Sequence, residues 1–322
     1  MNSIVMNLAS TMQPVYRVYV DCGNSTTSAS CVMPNGEIVR IDIPTLVSIG
    51  NRKINNKAYL VKDFENENYV VGDENLTINT NIKLSKMDVS HRITLLTAIH
   101  QIVPNNALID IIVGMPIDTY YNESHKSKYI GYLFPEKTLK INVNNIFKTV
   151  YFRNIRVLPE SIGYVYRNNI SYMMAYVDIG HTTIDVATYV DYAPIKETVF
   201  TIVDGANAFK TRVRDTLNKE LLLNIQMYQM NDILKNGLYG SKHDEAEEII
   251  YQCKIDYLKK IVNEMVKHNY EIETLPIVFG GGGSIPLEDV INEFETFSLS
   301  DEPLLDNLIG FEEVGELSYG EE

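Results

Sequence analysis

Apolar residues recur along this chain in two patterns, short continuous runs and longer stretches with helical spacing. Short runs that end in Gly, Pro, Asn or Asp are typical of buried strands. They occupy residues 15–20, 106–114, 155–158, both arms of 172–190, and 275–279. Apolar residues three or four apart predict amphipathic helices. These helices occupy residues 88–103, 205–222 and 245–267.

The alternation of strands and helices predicts an α/β protein, and 322 residues suffice for two domains. One short pattern occurs twice: YVDCGNSTT at 19–27 and YVDIGHTTI at 176–184. Their aspartates, Asp21 and Asp178, are 157 residues apart, about half the chain. Two similar strand–turn–strand units, each heading its own half, predict a duplicated architecture.

The composition of these turns points to a phosphate site. Glycine permits backbone angles that aim successive N–H groups at one anion, and Ser and Thr hydroxyls add donors. A carboxylate at the strand end repels phosphate but can hold Mg²⁺ through water. A single Asp-x-Gly turn is usually only a turn. Two matched copies in separate halves favour a site that grips a polyphosphate and its metal from both sides.

The net charge and the cysteine content argue against several classes of function. The formal net charge of −14 argues against broad direct contact with nucleic-acid phosphates, which needs a basic face. It leaves room for a basic protein partner. Three cysteines without a C-x-x-C pair predict neither a disulfide framework nor a metal site. A cytoplasmic location is the default that follows from this cysteine usage. No apolar run is long enough for a membrane span, so we expect no membrane contact.

A third glycine-rich turn, residues 280–283, follows the last apolar strand. It lacks the Lys-Ser/Thr of a P-loop and the spacing of the dinucleotide fold, so alone it is a weak signal. The order of the pieces is more specific: a first hairpin, LPES at 158–161, a second hairpin, a lysine-bearing helix and the glycine run. That order resembles the actin/heat-shock-chaperone/sugar-kinase ATPase superfamily. Within it, the chain is most similar to ParM/StbA-type bacterial actins that segregate plasmids. Four further stretches carry this resemblance, TINTNIKLSKMDVSHRITLLTAIH, DIIVGMPIDTYY, VLPESIGYVY and DGANAFKTRVRDTL.

The resemblance covers about residues 15–315 and implies the fold of actin and the heat-shock chaperone ATPase. That fold has two duplicated α/β domains, each with a smaller subdomain, around a nucleotide cleft. We expect a loose extension at 1–13, domain I at 14–172 plus about 305–322, and domain II at 173–304. The resemblance also implies binding of ATP or ADP with Mg²⁺, self-association into filaments coupled to ATP hydrolysis, and a DNA-bound adaptor protein at a plasmid site.

The resemblance assigns roles to the two hairpins. Asp21 and Asp178 are the carboxylates that hold Mg²⁺ through water and complete the catalytic set. The two phosphate clamps contain eight residues: Gly23, Asn24, Ser25 and Thr26 in the first, and Gly180, His181, Thr182 and Thr183 in the second. His181 stands where relatives usually have a second glycine. Histidine tolerates a positive φ better than most residues, so the turn can survive the change.

Outside the hairpins, Glu160 is interpreted in two ways. By resemblance it orients the water that attacks the γ-phosphate; the structural alternative is a carboxylate that stabilises a helix N-terminus. Asp185 is expected to support the second hairpin.

The nucleotide-facing helix is expected to begin at Gly205 and to carry Lys210 and Arg214, which are four apart on one face. One of these two contacts the nucleotide in this interpretation, and an exposed basic face is the alternative. Gly281, Gly282 and Gly283 are expected beside the adenosine.

Two other functions stay open at this point. A cell-shape or division actin often carries an amphipathic membrane segment, and residues 1–13 contain no Lys or Arg to support one. A small-molecule kinase on the same fold needs a base beside the γ-phosphate, for which the sequence gives no clear signal.

Overall fold

The computed structural model describes residues 13–63, 67–73 and 86–319, and within them the first half of the chain is mainly strands. The strands are β1 (Val15–Cys22), β2 (Thr26–Val32), β3 (Ile38–Pro44), β4 (Val47–Ile49), β5 (Tyr59–Lys62), β6 (Asn68–Val71), β7 (Ala107–Met115), β8 (Thr138–Val143) and β9 (Ile146–Pro159). The helices are α1 (Val89–Ile102), α2 (Ile117–Tyr120), α3 (Glu123–Leu133) and α4 (Ile162–Arg167).

Helices take a larger share of the second half. Its strands are β10 (Met174–Ile179), β11 (Ile184–Val190), β12 (Ala193–Pro194), β13 (Phe200–Ile202), β14 (Ile277–Gly280) and β15 (Phe297–Leu299). Its helices are α5 (Ala206–Glu220), α6 (Met230–Asn236), α7 (His243–Lys267), α8 (Glu288–Ile291) and α9 (Asp306–Tyr319). The helices predicted from apolar spacing are confirmed as α1, α5 and α7. None of the helices in the described ranges is both long and apolar enough to cross a bilayer.

The strands form two sheets that share one arrangement. Within the described ranges, nine strands form a sheet in the order β3-β2-β1-β7-β9-β8-β5-β6-β4. Five others are ordered β12-β11-β10-β14-β15, and β13 also pairs with β11. β1 is antiparallel to β2 and parallel to β7, and β10 is likewise antiparallel to β11 and parallel to β14. The predicted duplication is therefore present in strand pairing.

The two sheets are formed by successive parts of the chain. The first sheet ends with β9 at Pro159, and the second begins with β10 at Met174. α9 then returns to the first sheet, where Glu316 pairs with Arg17. The assignment of residues 14–172 plus about 305–322 to domain I and of residues 173–304 to domain II stays a prediction. Apart from Gln13, the loose extension predicted at 1–13 lies outside the described residues.

Two helices cross where the sheets meet. Gly163 on α4 lies against the start of α9, and a Cβ built on it would be 2.3 Å from the carbonyl oxygen of Asp306. A Cβ on Gly310 of α9 would in turn be 2.1 Å from the Cα of Gly163. Such distances exclude any side chain, so the two backbones are in direct contact. A buried core that includes Tyr19, Tyr176 and Phe311 surrounds this crossing and joins the two halves.

Candidate functional site

A cavity of about 760 Å³ opens between the two sheets, at the ends of β1 and β10. Residues of both hairpins, of the glycine run and of the start of α9 line it. This volume lies in the usual range for small-molecule and cofactor sites. The repeated motifs, which are separated by half the chain, therefore face one space.

The first hairpin forms a closely packed turn. Gly23, Asn24, Ser25 and Thr26 all line the cavity. A Cβ on Gly23 would be 2.4 Å from the Thr26 carbonyl oxygen, so glycine is needed for close approach. Gly23 is not among the described residues with positive φ. Thr45 fixes the loop, since its hydroxyl donates to the Gly23 carbonyl at 2.7 Å.

The second hairpin packs onto the N-terminus of α5. The Gly180 N–H donates to the Thr183 carbonyl at 2.9 Å, and the Gly205 N–H donates to the Thr182 carbonyl at 2.9 Å. A Cβ on Gly205 would be 2.6 Å from the Gly180 carbonyl oxygen, so Gly205 lets helix and turn touch. Gly180 and Thr183 line the cavity, whereas Thr182 and Gly205 are not part of its lining. Thr182 and Gly205 therefore support the turn through their hydrogen bond without lining the cavity.

His181 and Lys210 both line the same wall of the cavity. His181 is absent from the described positive-φ residues, so this turn needs no glycine there. Burial, together with the charge of Lys210, lowers the pKa of His181. Lys210 donates to Asn231 Oδ1 at 2.7 Å. Arg214 lies outside the cavity lining and pairs with the neighbouring Asp215, so of the two predicted basic residues the structure brings only Lys210 to the site.

The glycine run lies against the end of β10. Gly281 has a φ of +73°, and a Cβ on it would be 2.3 Å from Asp178 Oδ1. The Gly283 N–H donates to the last residue of β10 at 2.8 Å. Gly281, Gly282 and Gly283 all line the cavity. Gly281 must therefore be a glycine, because its backbone lies too close to the Asp178 carboxylate for a side chain. The absence of side chains along the run also leaves an open surface for a ligand.

An asparagine joins the two predicted metal-site carboxylates. Asn307, at the start of α9, donates its amide to Asp178 Oδ2 at 3.3 Å and lies within hydrogen-bonding reach of Asp21. Its own Oδ1 accepts from the Ser161 N–H at 2.8 Å. Asn307 therefore ties both strands and the LPES turn together. Sequence reasoning missed it, because no local pattern marks a single Asn 129 residues from its partner.

Glu160 is buried at the base of the cavity and forms an ion pair with Lys86. Burial raises the pKa of Glu160 to about 7, since the charge of Lys86 only partly offsets the penalty and Asp21 adds to it. α4 begins at Ile162 behind its N-cap Ser161, so Glu160 precedes the helix and supplies no first-turn carboxylate. Glu160 thus lines the cavity and lies outside the first turn of α4.

Acidic side chains are concentrated at this base. Burial, then the charges of Asp185 and Asp21, raise the pKa of Asp178 well above its usual value. Burial also raises the pKa of Asp185 to about 6, although its oxygen accepts from Thr201 at 2.5 Å. Thr183 lies 3.4 Å from the other Asp185 oxygen, a contact within the hairpin that Asp185 was expected to support.

Asp21 and Asp178 are the residues of the cavity that could hold a hydrated Mg²⁺. Within the described ranges, no three His, Cys, Asp or Glu side chains cluster as a metal site would require. Asp21 and Asp178 are instead two buried carboxylates whose charged forms are disfavoured, which a divalent cation would relieve. Because Mg²⁺ keeps several of its waters, two carboxylates suffice.

The segment before α1 connects to the first hairpin. Asp88 caps the helix by accepting from the His91 N–H at 3.1 Å, and its other oxygen lies 2.7 Å from His91 Nδ1. His91 Nε2 lies 3.0 Å from Asn24 Oδ1 in the first hairpin turn. The stretch KLSKMDVSH carried part of the family resemblance, but its spacing did not mark Lys86 or His91 as site residues.

Comparison with known protein families and sequences gives one match. Residues 20–163 match the family model described as the actin-like proteins N-terminal domain. No curated protein sequence matches the chain.

Among solved structures, three similar ones cover nearly the whole chain. The apo pSK41 ParM protein has a TM-score of 0.70 at 17% identity, covering 95% of this chain and 98% of its own. A 15-stranded ParM filament from Clostridium botulinum has a TM-score of 0.70 at 17% identity, covering 94% and 99%. Ta0583, an archaeal actin homolog in complex with ADP, has a TM-score of 0.73 at 15% identity, covering 94% and 99%.

The predicted fold is confirmed by these matches: two α/β halves built on repeated strand units around a cleft. At identities below 20% the structural matches show the fold alone, and the family model matches residues 20–163. Residues 20–163 therefore match the model of the actin-like protein N-terminal domain, and the whole chain has the actin-like fold.

Proposed function

We propose that this protein is an ATPase that polymerises into filaments and segregates plasmid DNA through a DNA-bound adaptor. The observation that carries the proposal is the pair of matched hairpins, which bring Asp21 and Asp178 to one asparagine at the base of a nucleotide-sized cavity. Structural neighbours include an actin homolog with ADP and a ParM filament, which supports nucleotide binding and self-association.

The proposed chemistry divides among the cavity residues. Backbone N–H groups and hydroxyls of the two hairpin turns bind the phosphates. Mg²⁺, held through water by Asp21 and Asp178, would neutralise part of the phosphate charge. Glu160 orients the attacking water, and the adenosine lies along the glycine run near Lys210. Phosphoryl transfer depends mostly on such positioning and charge stabilisation.

The acidic balance fits indirect contact with DNA. With a net charge of −14, the filament is expected to depend on a basic adaptor rather than on phosphate contacts of its own. A cytoplasmic location belongs to the same proposal.

Assembly is tested by adding Mg-ATP to the pure protein and following right-angle light scattering with phosphate release. We expect scattering to rise above a critical concentration in the micromolar range, with phosphate release following it. Turnover only after addition of a small acceptor, without scattering, would identify a kinase instead. Sedimentation with lipid vesicles would favour a cell-shape or division actin.

For catalysis, we expect Glu160→Gln to assemble with Mg-ATP but to release phosphate at least ~100-fold more slowly, because the amide cannot accept a proton from the water. Glu123→Gln is a matched control on an exposed helix end, and its phosphate release should equal that of the wild type. Unchanged release from the Glu160 variant would exclude it as the water-orienting group.

A further inference from the structure

Lys86 is an unusual lysine because it is buried at the bottom of the cleft. Its side chain is 7% exposed, it lines the cavity, and its ammonium group contacts Glu160 Oε1. Its backbone is left-handed, with a φ of +53°, which is unfavourable for a residue with a long side chain. Burying a lysine is costly unless its charge is compensated, so both burial and backbone strain need a local reason.

The charges around Lys86 supply part of that reason. Although burial opposes its charge, Glu160 and Asp21 raise the pKa of Lys86, and it stays an ammonium group. The other lysine of the described cavity lining, Lys210, lies on the opposite hairpin's helix. Lys86 is thus the cation that faces the carboxylates at the base, where a polyphosphate would end.

The backbone beside Lys86 is anchored on the first hairpin. Asp88, two residues later, caps α1 and holds His91, which contacts Asn24. The Lys86 ammonium group therefore reaches the cleft from a segment that contacts the proposed phosphate clamp. The pairing with Glu160 also bears on the chemistry, because the ammonium group occupies Glu160 Oε1 and competes with a water molecule for that oxygen.

We propose that Lys86 recognises the terminal phosphate of a bound nucleoside triphosphate, leaving Glu160 for it and thereby freeing the Glu160 carboxylate to orient water. Lysine is a common phosphate ligand, and the γ-phosphate carries more charge than the carboxylate it replaces. A diphosphate lacks that group, so Lys86 stays paired with Glu160. The site then distinguishes triphosphate from diphosphate through one side chain. This inference rests on the proposed function of the cavity as an ATP site.

The test is the ratio of affinities for a non-hydrolysable Mg-ATP analogue and for Mg-ADP, measured by titration calorimetry. Lys86→Met should lower the preference for the triphosphate about 10–100-fold, the range expected for losing one charged hydrogen bond. Glu160→Gln should raise triphosphate affinity, because Lys86 no longer has a charged competitor to leave. Lys219→Met, on an exposed helix end, is the control for losing a surface charge and should keep the wild-type ratio.

The outcomes separate this inference from the proposed function. A wild-type protein that binds neither nucleotide overturns both. Wild-type binding of both nucleotides with an unchanged ratio in Lys86→Met overturns the role of Lys86 and leaves the ATP site in place. If Lys86→Met does not fold, Glu160→Gln decides, since unchanged or weaker triphosphate binding in that variant contradicts the exchange of partners.

Discussion

At the scale of single residues, burial sets the chemistry of the cleft. Glu160 has a pKa of about 7 and Asp185 one of about 6, because their charged forms lose water and face other carboxylates. The sequence identified Asp21, Glu160 and Asp178 because they lie in motifs. It could not identify Lys86 or Asn307, because their roles arise from contacts 74 and 129 residues away.

The burial of His91 can be tested through the pH dependence of the protein's stability. Burial, with the charge of Lys86, lowers the pKa of His91, although Asp88 acts in the opposite direction. The unfolded chain, with a histidine pKa near 6.5, therefore takes up a proton before the folded protein does. Stability that is present at pH 7.5 is expected to fall as the pH drops below about 6.5. His91→Gln lacks the titrating ring, so its loss of thermal midpoint between pH 7.5 and 5.5 should be smaller than that of the wild type. An equal loss would contradict a buried neutral His91.

At the scale of elements, apolar spacing was a guide to some helices and not to others. α1, α5 and α7 were predicted, whereas α3 and α9 were not. α9 contains Gly310 and Gly315, which oppose helix formation in the unfolded chain. Both are needed in the fold, since a Cβ on Gly315 would be 2.2 Å from the Tyr19 ring. Packing against the rest of the molecule overrides local propensity there.

Because α4 and α9 are in contact, we expect a Gly→Ala substitution to have opposite effects on the free energy of unfolding at two helical glycines. Gly310→Ala adds a methyl group where the Gly163 backbone lies, so we expect a loss of about 1–3 kcal/mol of unfolding free energy or more. Gly131→Ala in α3 meets nothing within 4 Å, so the better helix propensity of alanine should add up to about 1 kcal/mol. Denaturant unfolding of the two variants gives the comparison, and a stabilised Gly310→Ala would show that the helices do not touch.

At the scale of the whole molecule, the repeat made the duplicated architecture predictable, whereas the actin-like fold was implied by the family resemblance. Two nine-residue stretches revealed the paired hairpins, and the strand pairing around β1 and β10 repeats accordingly. The cleft itself follows from how the two sheets face each other through the α4–α9 crossing, which no local pattern encodes. The result is a cavity whose two walls each contribute one acidic strand end.

Because Asp21 and Asp178 come from different halves, we expect bound Mg²⁺ to stabilise the contact between the two halves. Mg-ADP should raise the thermal midpoint, since a ligand at 100 times its Kd stabilises by about 2.7 kcal/mol. Removing Mg²⁺ with EDTA should abolish much of this rise in thermal midpoint, because the phosphates then lie beside the uncompensated carboxylates of both sheets. Asp178→Asn keeps the size of the side chain but should make the ADP gain largely insensitive to EDTA. Asp301→Asn, on the exposed turn after β15, should behave as the wild type. Equal EDTA sensitivity in all three proteins would place the metal elsewhere, and the link between the two sheets would then depend on the nucleotide alone.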